Sequence, residues 1–239
     1  MRRLLLACAA SILVYAVAFA CILDRPLTLG TLRERIDANV AAGAAVEGPK
    51  LVILAGSNGP YSHRCAVIGP AEAIGREVLA RDPLAVALVT LQIEWMTQRH
   101  YVDSVRDDRG IDPLFASLLK HHWIEEAQHA RLDTLMVLGL AEGRDEAGLD
   151  RAIDDYLAIG MFLDAGLEAQ TALNLDALER ATGRVLTGVD RSDFLAVQHQ
   201  AARWTYLGSG MTHPKFRATL GRIHPAGLAR IDAVAPAFR

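Results

Sequence analysis

Two Asp-Pro dipeptides, Asp82-Pro83 and Asp112-Pro113, do most to limit what this chain can fold into. An aspartate accepts hydrogen bonds from the free amides of a helix's first turn, and proline, which has no amide hydrogen, fits the first helical position. Each pair predicts a helix start, so one helix is expected from 83 toward Gly110 and a second from 113 to Leu140, ending near Gly143. A third is expected from Leu149 to Thr182, stopped by Gly183, and a fourth from Asp190 or Ser192 to Gly208. Four long helices with short connections describe an antiparallel bundle and an all-α fold for residues 71–239. The tail after Met211 suggests two short helices capping it.

Positions three, four and seven apart share one helix face, which sorts the polar residues. On the first long helix Leu84, Leu88, Leu91 and Trp95 mark a buried side, with Glu94 at its edge beside Gln98 and Tyr101. On the second, Phe115, Leu119, His122, Glu126, His129 and Met136 form a stripe that sends Glu126 and His129 into the core together, while His121, Glu125 and Gln128 fall to the flank. The third aligns Met161, Ala165, Glu168 and Ala172, and the fourth Leu195, His199, Ala202, Arg203 and Tyr206. Unpaired buried carboxylates are costly, so three acids on facing helices call for a cation.

Carboxylate and imidazole ligands at Glu-x-x-His spacing, joined by glutamates from neighbouring helices, suit iron or manganese in a bundle core. Through Glu94, the run Glu126-Ala127-Gln128-His129 and Glu168, residues 83 to about 213 resemble the ferritin-like di-iron carboxylate superfamily, and more loosely its p-aminobenzoate N-oxygenase branch. The resemblance implies Glu94, Glu126, His129, Glu168 and His199 as metal ligands, with His122, Gln98, Tyr101, Arg203 and Tyr206 around them. It also implies an O2-dependent oxidase or oxygenase acting on a small molecule. The family's second Glu-x-x-His is missing: if His199 takes the first ligand position, Arg203 stands in place of a carboxylate and Tyr206 in place of a histidine. Of the one or two ions such a bundle could hold, the charges of Glu94, Glu126 and Glu168 would balance one divalent ion plus Arg203 and not two, so a single-metal or a metal-free site is expected. His213 is a replacement ligand or, more simply, part of a His-Pro turn. Trp95, Trp123 and Trp204 read as packing groups, and Asp107-Asp108 and Asp154-Asp155 as solvated helix ends.

The N-terminal part has a different texture. Arg2 and Arg3 precede an uncharged run from Leu4 to Leu23, long enough to span a bilayer. Residues 1–25 therefore read as a signal anchor, with Ala18-Phe19-Ala20 leaving cleavage open, and place the bundle outside the cytoplasm. Residues 26–70 read as a linker with a charged stretch and a short α/β-like piece, in which a strand at Leu51–Leu54 runs into Gly56-Ser57-Asn58-Gly59. That piece resembles the first block of SGNH/GDSL-type hydrolases, which would make Ser57 a nucleophile. Later strand-and-glycine blocks to supply its base, acid and oxyanion donors are not found, and such a turn is ordinary loop chemistry. The break at Gly69-Pro70 also fits a natural fusion or a misassembled reading frame, in which case the bundle would be cytoplasmic.

Composition narrows the partners. With 25 basic and 28 acidic residues the net charge is -3, which gives no basic field for a nucleic-acid backbone. Three cysteines, Cys8, Cys21 and Cys65, are too few for a disulfide framework or a thiolate zinc site. A homodimer is compatible with everything above. A non-catalytic bundle with an ion-pair core around Arg203 is the alternative from another class.

Overall fold

A computed structural model describes residues 66–238. The membrane-anchor run, the Leu51–Leu54 strand and Ser57 lie outside the described residues. Among those described there is no strand, and no helix is long and apolar enough to cross a membrane.

The helices are α1 (Ala71–Leu79), α2 (Pro83–Ser104), α3 (Pro113–Ala141), α4 (Glu146–Thr182), α5 (Gly188–Arg203), α6 (Pro214–Ile223) and α7 (Pro225–Val234). A π-helical segment, Trp204–Gly208, and a short α turn, Ser209–Met211, continue α5 without a break, and a 3-10 turn, Ala235–Phe238, closes the chain. Both Asp-Pro devices work as expected. Asp82 accepts from the Leu84 amide at 2.7 Å, and Asp112 from the Leu114 and Phe115 amides at 3.0 Å each. Gly183 ends α4 with φ at 66°, a left-handed conformation that costs glycine nothing.

The four long helices do not bury equally. Every residue of α2 from Leu84 to Ile93 is buried, because that stretch is apolar apart from Thr90 and Gln92 and is wrapped by α3, α4 and the 204–211 segment. α3, in contrast, buries only Glu126, Ala130, Asp133 and Val137 and packs chiefly along α2. α4 and α5 pack on each other through a short connection. The tail forms two short helices, as expected, with Phe216, Leu220 and Ile231 closing the core beside Tyr156.

Three expectations need correction. α2 stops at Ser104 rather than near Gly110. α5 gives way after Arg203 to the π segment, a distortion without a periodicity signal in sequence. Asp154 and Asp155 are not at a helix end but in the third turn of α4, where Asp155 accepts from the Asp82 amide at 2.8 Å and Asp154 pairs with Arg230.

A buried polar chain ties α2 to its neighbours: the Tyr156 hydroxyl donates to Gln92 Oε1, and Gln92 Nε2 donates to the Tyr206 carbonyl at 3.0 Å. Tyr156 is fully buried, which also drives its phenol well above the ordinary range. Tyr156→Phe should therefore lower unfolding stability by about 1–3 kcal/mol, since the Gln92 oxygen keeps its burial and loses its donor. Urea unfolding midpoints of parent and variant check this.

Candidate metal centre

α2 and α3 form an antiparallel hairpin, and polar residues follow its seam. Thr90 lies beside Asp133, Glu94 meets Glu126, and Gln98 Nε2 donates to the Trp123 carbonyl at 2.9 Å. One numbering rises while the other falls, as an antiparallel register requires. Tyr101 stacks on Trp123 with ring centroids 4.8 Å apart, closing one end of the seam.

At its middle Glu94, Glu126 and His129 each present a ligand atom, all within 4.8 Å of one another. Glu126 is buried and lies between two histidines of its own helix: His129 Nδ1 is 2.7 Å from Oε2, and His122 Nε2 is 3.2 Å from Oε1. These follow from helix geometry, since positions i−4 and i+3 flank the same residue. Burial above all, then the hydrogen bond and charge of Glu126 and the charges of Asp133 and Glu125, push the Glu94 carboxyl up to about 10. Asp133, one turn beyond His129, rises to about 6, mainly through burial with help from Glu126, against the nearby Thr90 hydroxyl and His129. The Glu94 carboxyl therefore keeps its proton at neutral pH unless a cation takes its place.

The other expected ligands lie elsewhere. Met161, Ala165, Glu168 and Ala172 are all exposed, so Glu168 does not point into the core. The inward face of α4 runs instead through Ile153, Tyr156, Gly160, Thr171 and Leu175, with Asp164 and Leu167 half-buried on it. Asp164 is the acid met by α5: Arg203 grips it through Nε at 3.0 Å and Nη2 at 2.5 Å, and His199 Nε2 is 2.9 Å from it. His199 and Arg203 thus belong to an α4–α5 network, and Arg203 does not balance the Glu94 and Glu126 charges. Tyr206 contributes its carbonyl to Gln92, and burial pushes its hydroxyl up to about 12. His213 is the N-cap of α6, accepting from the Lys215 amide at 3.2 Å and stacking on Trp95. His121 is exposed, its Nδ1 2.7 Å from the Ser117 carbonyl.

Two acids were missed by the sequence reading. Asp133 follows Glu126 and His129 at i, i+3, i+7 and was legible from spacing alone. Asp164 was not, because the exposed side of α4 also carries large apolar groups, Met161 and Phe162, and so mimics a buried stripe.

The donor set fits a hard or borderline divalent ion: two carboxylates and an imidazole on two packed helices, the kind of ligands that suit iron and manganese. Comparison with protein-family models, with curated proteins and with solved structures finds no match.

Proposed function

We propose that this chain is a ferritin-like helical protein that holds one iron or manganese ion through Glu94, Glu126 and His129, anchored to a membrane by its Leu4–Leu23 run. The observation that carries the reading is the convergence of those three donors, with Glu94 so disfavoured as an anion that a cation is the natural occupant. Asp133 adds charge one turn away. When bound, such an ion would supply redox chemistry with O2, which makes an oxidase or oxygenase acting on a small molecule the favoured activity. The chain's own part is to set the charge on the ion and to keep one side of it against the apolar wall of α2.

The Asp164–Arg203–His199 network favours one other reading, a non-catalytic module whose helices are held by ion pairs. Metal analysis separates the two. After reconstitution with iron or manganese, the parent should retain about one ion per chain, and Glu126→Ala should retain at least about tenfold less at the same free metal. No retained metal in the parent, together with a Glu126→Ala variant as stable as the parent, would sink the metal reading and leave the module.

A further inference from the structure

α3 has a second face that the described residues leave bare. Its positions 114, 118, 121, 125, 128, 132, 135 and 139 alternate in steps of four and three, the spacing of a coiled-coil seam, and all eight are exposed. Leu114 and Leu118 are 47% and 48% exposed at one end, and Leu132 and Leu135 are 62% and 59% exposed at the other, so four leucines lie in water on one stripe. The face buried against α2, which carries Ala130 and Val137, is on the far side of the helix.

This stripe is complementary to itself when reversed. An antiparallel copy pairs 118 with 135, 121 with 132, 125 with 128 and 114 with 139, which places leucine on leucine toward each end, a small Gly139 under Leu114, and Glu125 against Gln128 near the centre. Charge agrees with shape. On the outer flank the same register sets position 124 opposite 131, bringing Arg131 of the partner subunit within reach of Glu125, twice by the two-fold axis. On the opposite flank it sets position 122 toward 129. That is the flank on which the Glu94–Glu126–His129 cluster opens, since the His129 side chain is 47% exposed.

We propose that a second copy of this chain docks on the outer face of α3 through this antiparallel seam, and that docking brings His122 of the partner subunit to the open side of the Glu94–Glu126–His129 cluster. The second half rests on the metal-binding reading; the first does not. Three protein donors leave a hard divalent ion open to further ligands, and an imidazole supplied in trans would take one of those positions. Two such clusters then lie along a single interface, each incomplete without the other copy.

The test is a charge swap in full-length protein held in mild detergent, with mass read by light scattering after subtraction of the detergent. The parent should be a dimer at micromolar concentration. Glu125→Arg and Arg131→Glu should each weaken dimerisation at least about tenfold, and the double variant should recover most of it, because the pair is restored with its signs exchanged. Circular dichroism keeps loss of fold apart from loss of dimer. A monomeric parent, or a double variant weaker than either single one, overturns the seam. Iron or manganese affinity measured on the same set tests the second half: it should fall in the single variants and return in the double. Equal affinity in dimer and monomer overturns the trans ligand while the seam stands. A dimer that obeys the swap yet binds no metal removes the metal reading and the trans ligand together, again leaving the seam.

Discussion

A Gly210→Ala protein is expected to unfold at a temperature about 6–12 °C below the parent. Gly210 lies in the short turn after the π segment, where that turn crosses α2. A Cβ added there would sit 2.3 Å from the Gln92 carbonyl oxygen, 2.6 Å from its Cγ and 3.0 Å from its carbonyl carbon. Two of these three atoms are backbone of a helix buried all round, so neither side can yield by turning a rotamer. Forcing the elements apart costs about 3 kcal/mol, the upper part of the range for overpacking, and a chain of this size loses about 2–4 °C for each kcal/mol. The separation would also strain the hydrogen bonds from Tyr156 through Gln92 to the Tyr206 carbonyl. Gly75→Ala in α1 is the matched control, since nothing lies within 4 Å of its added Cβ. There the same methyl group should raise stability by up to about 1 kcal/mol through helix propensity alone. Thermal melts followed by circular dichroism, with opposite signs for one chemical change, check both. An unchanged melting temperature in Gly210→Ala would show that the 204–211 segment can move off α2 at little cost.

Gly210 also marks where sequence reasoning stops. Helix starts were legible because a cap is a local device: Asp82 and Asp112 act within their own first turns. The pairing of Glu126 with His129 was legible for the same reason, as both lie on one turn of one helix, but only Glu126 is buried: His129, expected in the core with it, sits at the exposed edge of the seam. Which face of a helix meets which neighbour is not local. α2 is apolar from Leu84 to Ile93 apart from Thr90 and Gln92, and α4 carries large apolar residues on both sides, so periodicity could not orient either of them. Glu94, expected at the edge of the buried side of α2, lies at the α2–α3 seam, whereas Glu168, expected inward, faces out and Asp164 takes the inward position. The π segment adds a phase shift beyond Arg203, which is why a stripe drawn through His199, Arg203 and Tyr206 does not remain one face. The bare leucines of α3 carried the opposite lesson. Their heptad spacing was present in the sequence, but only the structure separates that stripe from the one buried on α2.

The metal-free protein should lose stability as pH rises from 6 to 8. Glu94 has its carboxyl raised from 4.5 to about 10 in the folded state, by burial first and by Glu126 next. Between those values the folded chain holds a proton that the unfolded chain has released. Stability is therefore fullest below pH 4.5 as far as this group is concerned and declines until pH passes about 10. One proton of difference corresponds to at most about 1.4 kcal/mol per pH unit, or about 2–3 kcal/mol from pH 6 to 8. Asp133, raised from 3.8 to about 6, adds to the slope only at the acid end. Glu94→Gln keeps an uncharged group that can still donate to Glu126, so its metal-free form should be flatter between pH 6 and 8 and more stable than the parent at pH 8. Metal reverses the sign. A cation binds the carboxylate, so affinity should rise by up to about tenfold per pH unit below the folded value, with close to one proton released per ion bound at neutral pH. Urea titrations at three pH values on chelator-treated protein, and proton release measured with an indicator dye during metal addition, read the two halves separately. A parent whose stability is level from pH 6 to 8, with metal uptake releasing no proton, would show that Glu94 is already ionised.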